Sequence, residues 1–130
     1  MTGKLVESGV MRGEGYLTKP GQYALVYKKG RSWRSDLVVI KSLPNGLASS
    51  RYGLSVSKRI GNAVTRNRVK RLLREILRSK PLEPGWDIIF IARPIAASTK
   101  YAELKKSVES LLSQAQLLVE NYEGIRLKTN

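Results

Sequence analysis

The sequence predicts an α+β fold, a small two-layer sandwich in which a sheet carries helices mainly on one face. Its 130 residues, of which 42% are hydrophobic, are enough for one compact domain with a single core. Some segments place apolar residues at helical spacing, and others place them in alternation or in a continuous run, as strands do. The elements follow in the order α-β-β-α-β-α, which favours helices segregated to one side of a sheet.

The first half of the chain predicts one short helix and two strands. Residues 1–19 show weak periodicity and are interpreted as a flexible N-terminal arm. A helix is predicted over 20–30, because proline suits the first helical turn and Gly30 follows the last. Residues 35–43 are rich in β-branched side chains, and residues 51–57 alternate apolar with polar positions, so both predict strands. The short connection between these strands predicts an antiparallel pair.

The second half predicts a long helix, a buried strand and a final helix. The first of these helices covers 65–80 and ends before a proline. Residues 86–92 are almost continuously apolar, which predicts a strand in the centre of the sheet. Apolar residues at helical spacing over 99–121 predict a helix that packs on the core. Together the elements predict a single domain over 20–121, followed by a C-terminal tail over 122–130, with one face of the sheet open beside the first helix.

Composition excludes several classes of chemistry. The chain has no cysteine and no histidine, which removes disulfides, thiolate nucleophiles, histidine catalysis and zinc sites built from those ligands. Its carboxylates are few and scattered, so neither a catalytic group nor a metal site is predicted in the protein itself. No apolar run approaches the roughly 20 residues of a membrane span, and no signal peptide follows Met1. We therefore expect a cytoplasmic protein without a membrane contact.

The net charge of +14 is concentrated in one part of the chain. Residues 58–80 hold nine basic side chains and one acidic side chain, a net charge of +8, whereas residues 81–130 are neutral overall. A solvated surface would mix the two signs. The local excess of positive charge therefore indicates a face that binds a polyanion.

The helix over 65–80 separates its apolar residues from its basic residues. An apolar stripe that suits core packing consists of Val69, Leu72, Leu73, Ile76 and Leu77. The opposite side carries Arg66, Asn67, Lys70, Arg71, Arg74 and Arg78. Arg68 lies on a flank, where an intramolecular ion pair is an alternative to an RNA contact. Like charges four residues apart repel by roughly a few tenths of a kcal/mol, a cost that a bound polyanion would relieve.

Three interpretations of this helix compete: a solvated surface, a membrane-surface helix and a nucleic-acid binder. A solvated face would interleave acids, and a membrane-surface helix would need the apolar residues that the core requires here. The planar guanidinium of arginine binds phosphate through two hydrogen bonds, which favours nucleic acid. Helical periodicity alone leaves DNA and RNA open. A strand and a loop precede the helix, rather than a short helix and a tight turn, and this favours RNA over a DNA major groove.

Three segments of the chain resemble the protein subunits of bacterial ribonuclease P. They are PGQYALVYKKGRS (20–32), GLSVSKRIGNAVTRNRVKRLLREILR (53–78), which bears an RNR motif, and PGWDIIFIAR (84–93). The resemblance implies an α+β sandwich with a left-handed βαβ crossover. It also implies an accessory role, in which a catalytic RNA removes the 5′ leader of precursor tRNA with Mg²⁺ ions held mainly by that RNA. The protein would bind both the catalytic RNA and the leader.

The resemblance further implies which residues bind RNA. On the helix it assigns the RNR motif and the basic residues after it: Arg66, Asn67, Arg68, Lys70, Arg71 and Arg74. In the preceding loop it assigns Lys58 and Arg59. A cleft for the single-stranded leader would be formed by Tyr23, Tyr27, Val39 and Lys41. Exposed bases stack on aromatic rings, whereas Lys41 stands where many members have an aromatic residue and is expected to contact phosphate.

Two other functions stay open on the sequence. A ribosomal or general RNA-chaperone protein would bind structured RNA without a tyrosine-lined cleft, and a DNA-binding regulator would prefer duplex DNA. In both cases Tyr23 and Tyr27 would pack the first helix onto the sheet. A ribonuclease P subunit is expected to have the catalytic RNA and precursor tRNA as partners, with no protein partner and no protein-bound cofactor.

Overall fold

A computed structural model describes residues 15–119 of the chain. Its strands are β1 (Gly15–Tyr16), β2 (Arg31–Arg34), β3 (Val38–Pro44), β4 (Arg51–Ser55) and β5 (Trp86–Ala92). Its helices are α1 (Pro20–Lys29), α2 (Ala63–Arg78) and α3 (Tyr101–Gln114), and short 3-10 helices cover Lys58–Ile60 and Pro94–Ser98. The five strands form one sheet in the spatial order β1-β4-β5-β3-β2. The predicted α+β class is confirmed.

The central strand of the sheet is β5, as the sequence predicts. It pairs antiparallel with β3 and parallel with β4, and Ile88, Ile89 and Phe90 are fully buried. The predicted antiparallel pair of β3 with β4 is wrong, because β5 lies between them. Two strand spacings amount to about 10 Å, which the connection over 45–50 spans easily.

A buried carboxylate ties that connection to the sheet. Asp87, at the start of β5, accepts hydrogen bonds from Arg51 Nε and Nη2 at 2.9 and 2.7 Å. It also accepts one from Asn45 Nδ2 at 2.9 Å. The side chain of Asp87 is 8% exposed, so its charge is compensated by these donors rather than by water.

The first predicted strand, over 35–43, corresponds to β3, which is the second strand of a hairpin. β2 pairs antiparallel with β3, and Ser35 closes the turn through its hydroxyl, which accepts from the Val38 backbone N–H at 3.2 Å. The sequence did not reveal β2, because Arg31, Ser32 and Arg34 give it a polar character. That character suits an edge strand with exposed side chains.

Helices cover the two faces of the sheet unequally, as predicted. α2 and α3 pack on the face that includes Ile40, Ile88 and Phe90, and together they form the main core. α1 covers part of the other face, where Val26 packs against Leu17 and Ile89 in a smaller cluster. Within residues 15–119, no helix combines the length and apolar character that crossing a bilayer requires.

Both ends of the domain differ from the sequence prediction. Gly15–Tyr16 pairs in parallel with β4 and Leu17 is buried, so residues 15–19 belong to the folded domain rather than to the predicted arm. α3 ends at Gln114 rather than near 121, because the chain turns at Gln116 with a φ of 58° and buries Leu117. The rest of the predicted arm, 1–14, and the predicted tail, 122–130, lie outside the described residues.

β4, α2 and β5 form a parallel crossover unit, because β4 and β5 pair in parallel and α2 connects them. The crossover itself agrees with the family resemblance. Its left hand stays a prediction.

α1 contacts the sheet at a glycine. The ring of Tyr23 lies so close to Gly53 of β4 that a Cβ there would come within 2.3 Å of the Tyr23 hydroxyl oxygen. The same hydroxyl donates a hydrogen bond to the Leu17 carbonyl at 3.3 Å. A glycine inside a strand often marks such a close approach. Gly53 is therefore required for α1 to lie on this part of the sheet.

We expect Gly53→Ala to lower the free energy of unfolding by about 1–3 kcal/mol, because the added methyl group displaces the Tyr23 ring. Urea unfolding monitored by circular dichroism measures the change. Gly21→Ala is the matched control, since a Cβ there meets no atom within 4 Å. In a Tyr23→Ala background the cost of Gly53→Ala should shrink. An undiminished cost would contradict the proposed clash.

Candidate nucleic-acid interface

A short structured loop positions the start of α2. The Ser57 hydroxyl accepts a hydrogen bond from the Arg59 backbone N–H at 3.3 Å. Ile60, the last residue of the 3-10 helix, is buried. Gly61 has a φ of 151°, which side chains rarely permit, and Asn62 then caps α2 by accepting from the Thr65 N–H at 2.9 Å. Lys58 and Arg59 are left exposed beside a helix N-terminus, where the dipole also favours anions.

The two faces of α2 are those that the sequence predicts. Val69, Leu73, Ile76 and Leu77 are buried in the core, and Leu72 lies at its margin. On the other side Asn67, Arg71 and Arg74 are exposed, whereas Arg66 and Lys70 are half-buried. The helix begins at Ala63, two residues before the predicted start, because Asn62 is the capping residue.

The basic face of α2 has no internal counterions within residues 15–119. The ion pairs there are Arg51–Asp87 and Lys80–Glu109, and neither involves a residue of α2. The Nε–H of Arg66 is buried and has no hydrogen-bond partner among these residues. An unsatisfied buried donor costs about 1–3 kcal/mol. This face therefore gains from any ligand that supplies negatively charged acceptors.

Arg68 differs from the other basic residues of α2. Its Nη1 donates to the Ala97 carbonyl at 3.2 Å and its Nη2 donates to the Thr99 carbonyl at 2.6 Å. These carbonyls lie at the junction between the 3-10 helix Pro94–Ser98 and α3. The partners of Arg68 are thus backbone oxygens rather than the acid that the alternative interpretation required.

The two tyrosines of α1 lie in different environments. Tyr23 is half-buried against Gly53, and this burial raises its pKa above the ordinary 10.0, with a smaller contribution from Tyr27. Tyr27, one turn further along, is 41% exposed. Tyr23 therefore holds α1 on the sheet, whereas the ring of Tyr27 is accessible to a ligand.

The sheet face beside α1 carries the remaining residues of the predicted cleft. Lys41, Ile89 and Gly53 lie in one row across β3, β5 and β4. The next row contains Val39, Ile91 and Ser55. Two strand spacings place Lys41 about 10 Å from the glycine under Tyr23.

Two of the four predicted cleft residues, Val39 and Lys41, thus lie on this face of the sheet, and the other two, Tyr23 and Tyr27, lie on α1 beside it. The Nζ of Lys41 donates to the Ser32 hydroxyl at 2.8 Å, which fixes the ammonium group on this face while two of its protons stay available. Ser55 is the last residue of β4, and Lys58 follows it three positions later in the chain. The cleft and the basic loop before α2 therefore adjoin at one end of the sheet.

Sequence reasoning missed two residues that support the predicted site. Gly53 leaves room for the ring of Tyr23, and Ser32 accepts a hydrogen bond from Lys41. A glycine within a strand is a usable signal for the first. The second depends on the pairing of β2 with β3 and has no sequence signal. The described residues contain no group of three or more acidic side chains that could hold a metal ion.

Comparison with known proteins identifies one family. The sequence profile of the Ribonuclease P family matches residues 11–116. The ribonuclease P protein component of Dehalococcoides mccartyi (strain CBDB1) is 47% identical over 88% of this chain and 95% of its own length. That of Clostridioides difficile (strain 630) is 38% identical over 79% of this chain and 93% of its own.

Solved structures agree with this match. The RNase P protein of Staphylococcus aureus superposes with a TM-score of 0.73 at 32% identity, covering 84% of this chain and all of that one. The RNase P protein of Thermotoga maritima superposes with a TM-score of 0.70 at 28% identity, covering 76% of this chain and 96% of that one.

Proposed function

Since this chain belongs to the ribonuclease P protein family, we propose that it binds the catalytic RNA of ribonuclease P and the 5′ leader of precursor tRNA. Family membership makes it a protein subunit of a ribonucleoprotein endoribonuclease that acts in tRNA processing. The finer proposal concerns which surface contacts which RNA. It rests on one observation: the basic face of α2 has no internal counterion within residues 15–119.

In this proposal the basic loop and α2 bind RNA phosphates. Lys58 and Arg59 are exposed beside the helix N-terminus, and the exposed guanidinium groups of Arg71 and Arg74 continue the same positive surface. Charge-assisted hydrogen bonds from guanidinium to phosphate are the strong kind, and two can form in parallel. Asn67, Arg66 and Lys70 complete the surface.

The cleft beside α1 is proposed to hold the single-stranded leader. Stacking of a base on an aromatic ring does not depend strongly on base identity, as suits leaders of different sequence. Tyr27 has the exposure that stacking needs, whereas Val39 is only 9% exposed and offers a small apolar area beside it. Lys41, held by Ser32, is placed to contact a leader phosphate. Leader binding at this position is thus more electrostatic than it would be with an aromatic residue.

The proposed division of labour leaves bond cleavage to the RNA. The chain has neither histidine nor cysteine, and its described acids form no cluster, so Mg²⁺ is proposed to be held mainly by the RNA. The protein then contributes positive charge and a binding surface, in the cytoplasm and with no further protein partner. Positive charge near the metal sites lowers the mutual repulsion of RNA phosphates, which is how it supports cleavage at low Mg²⁺ concentration.

The direct test of this function is the cleavage of precursor tRNA by a bacterial ribonuclease P RNA at low Mg²⁺ concentration. We expect little cleavage by the RNA alone, and cleavage at the mature 5′ end once this protein is added. Gel analysis of the released leader measures both. If the protein binds the RNA but cleavage is not restored, the proposal fails and a general RNA-chaperone role explains the binding.

The role of α2 is tested by the salt dependence of RNA binding. Replacing Lys70 and Arg74 with alanine should weaken binding and reduce the slope of log K against log salt by roughly 1.5, because each phosphate contact contributes about 0.7–0.9. Filter binding over a range of KCl concentrations measures the slope. Lys105→Ala with Lys106→Ala on α3 removes the same charge and should leave the slope nearly unchanged. Equal slopes for both double variants would remove α2 from the interface.

The role of the cleft is tested with precursor and mature tRNA. Tyr27→Ala should weaken binding of precursor tRNA to the assembled ribonucleoprotein by about 1–3 kcal/mol, the contribution of one stacked base. Mature tRNA lacks the leader and should be unaffected. Tyr101→Ala is the matched control, because Tyr101 is 39% exposed on α3, close to the 41% of Tyr27. Equal losses for the two tRNAs would contradict leader stacking by Tyr27.

A further inference from the structure

We infer that Arg68 is a positioning residue, which fixes α2 against the segment before α3 and thereby aims the basic face, rather than a residue that binds RNA. This inference rests on the proposed RNA-binding role of α2. It separates the two arginines of the RNR motif, whose identical side chains suggest identical roles.

The two arginines point in different directions. Residues two apart on an α-helix are separated by about 160° around the axis, so Arg66 and Arg68 lie on nearly opposite sides of α2. Arg66 belongs to the uncompensated face, and its Nε has no acceptor within residues 15–119. Arg68 instead faces the 3-10 helix Pro94–Ser98, against which α2 packs.

The guanidinium of Arg68 spans two backbone carbonyls. Nη1 contacts Ala97 O at 3.2 Å and Nη2 contacts Thr99 O at 2.6 Å. Thr99 is buried, and its hydroxyl donates to Glu103 Oε1 at 3.2 Å, so the acceptor segment is itself held to the first turn of α3. A guanidinium that donates to these two oxygens has one of its N–H edges committed to the protein.

Two directed hydrogen bonds supply what the apolar stripe of α2 cannot. Packing of Val69, Leu73 and Leu77 holds the helix on the sheet, but hydrophobic contacts are non-directional and tolerate small rotations and shifts. Bonds to two carbonyls two residues apart fix both the rotation of α2 about its axis and its position along that axis. The orientation of Lys70 and Arg74 towards RNA then follows from Arg68.

The decisive variant is Arg68→Lys, which keeps the charge but cannot span both carbonyls. Positioning predicts roughly ten-fold weaker binding to ribonuclease P RNA, because the phosphate contacts of Lys70 and Arg74 are weakened. The salt slope should stay within about 0.3 of wild type, because those contacts are not removed and the charge at residue 68 is kept. Lys106→Arg, at an exposed position of α3 outside the proposed interface, is the charge-conserving control and should bind within two-fold of wild type. Binding is measured well below the melting temperature of each variant.

Arg68→Ala distinguishes the alternatives. A slope reduced by about 0.7–0.9, as expected for Lys70→Ala, would make Arg68 a phosphate contact and overturn the inference. Unchanged affinity with a lowered melting temperature would overturn it too, because Arg68 would then only stabilise the fold. Failure of the wild-type protein to bind the RNA would refute the proposed function itself.

A probe on the helix reports its position directly. The chain has no cysteine, so Glu75→Cys, at an exposed site on α2, can carry a single tethered iron chelate that cleaves nearby RNA. Adding Arg68→Lys should shift the cleaved nucleotides, whereas adding Lys106→Arg should not. An unshifted pattern would show that α2 keeps its orientation without Arg68 and would overturn the inference.

Discussion

The burial of β5 on both faces is the constraint on which the other features depend. Ile88, Ile89 and Phe90 are inaccessible to solvent, so both faces of this strand must be covered and both its edges paired. Parallel pairing with β4 cannot be made by a tight turn and requires a long crossover. That crossover contains the basic loop and α2. The surface proposed to bind RNA is therefore part of the connection that the central strand requires.

The fold also tolerates an unfavourable charge distribution. Like charges four residues apart on α2 cost roughly 0.2–0.5 kcal/mol per pair. Each buried side chain of the apolar stripe contributes about 1.5–3 kcal/mol. Burial thus exceeds repulsion several-fold, and the helix is stable without counterions. The ion pairs within residues 15–119 join other elements, since Asp87 pairs with Arg51 and Glu109 with Lys80.

Sequence reasoning succeeded where a pattern is local and failed where a contact joins distant segments. The bounds of β5 and the apolar stripe of α2 were predicted correctly, because continuous and helical periodicity identify them. The pairing of β3 with β5 was not predicted, because the short connection between β3 and β4 wrongly favoured a pair of those two strands. Arg68 could be placed on a flank, but its acceptors some 30 residues away could not be foreseen. Likewise, Tyr23 and Tyr27 are four residues apart, so the sequence places both on one face of α1. Only the contact of Tyr23 with Gly53 shows that the two rings lie in different environments.

The insertion of β5 between β3 and β4 bears on the order of events during synthesis. On the ribosome, residues of β3 and β4 leave the exit tunnel before the strand that joins them exists. The sheet cannot close until Ala92 has emerged, and the partners of Arg68 follow it. Until then a highly basic nascent segment is exposed beside ribosomal RNA, without the fold that restrains it. Pairings between distant segments also slow folding. A protein built to bind one RNA must therefore complete its fold while surrounded by another.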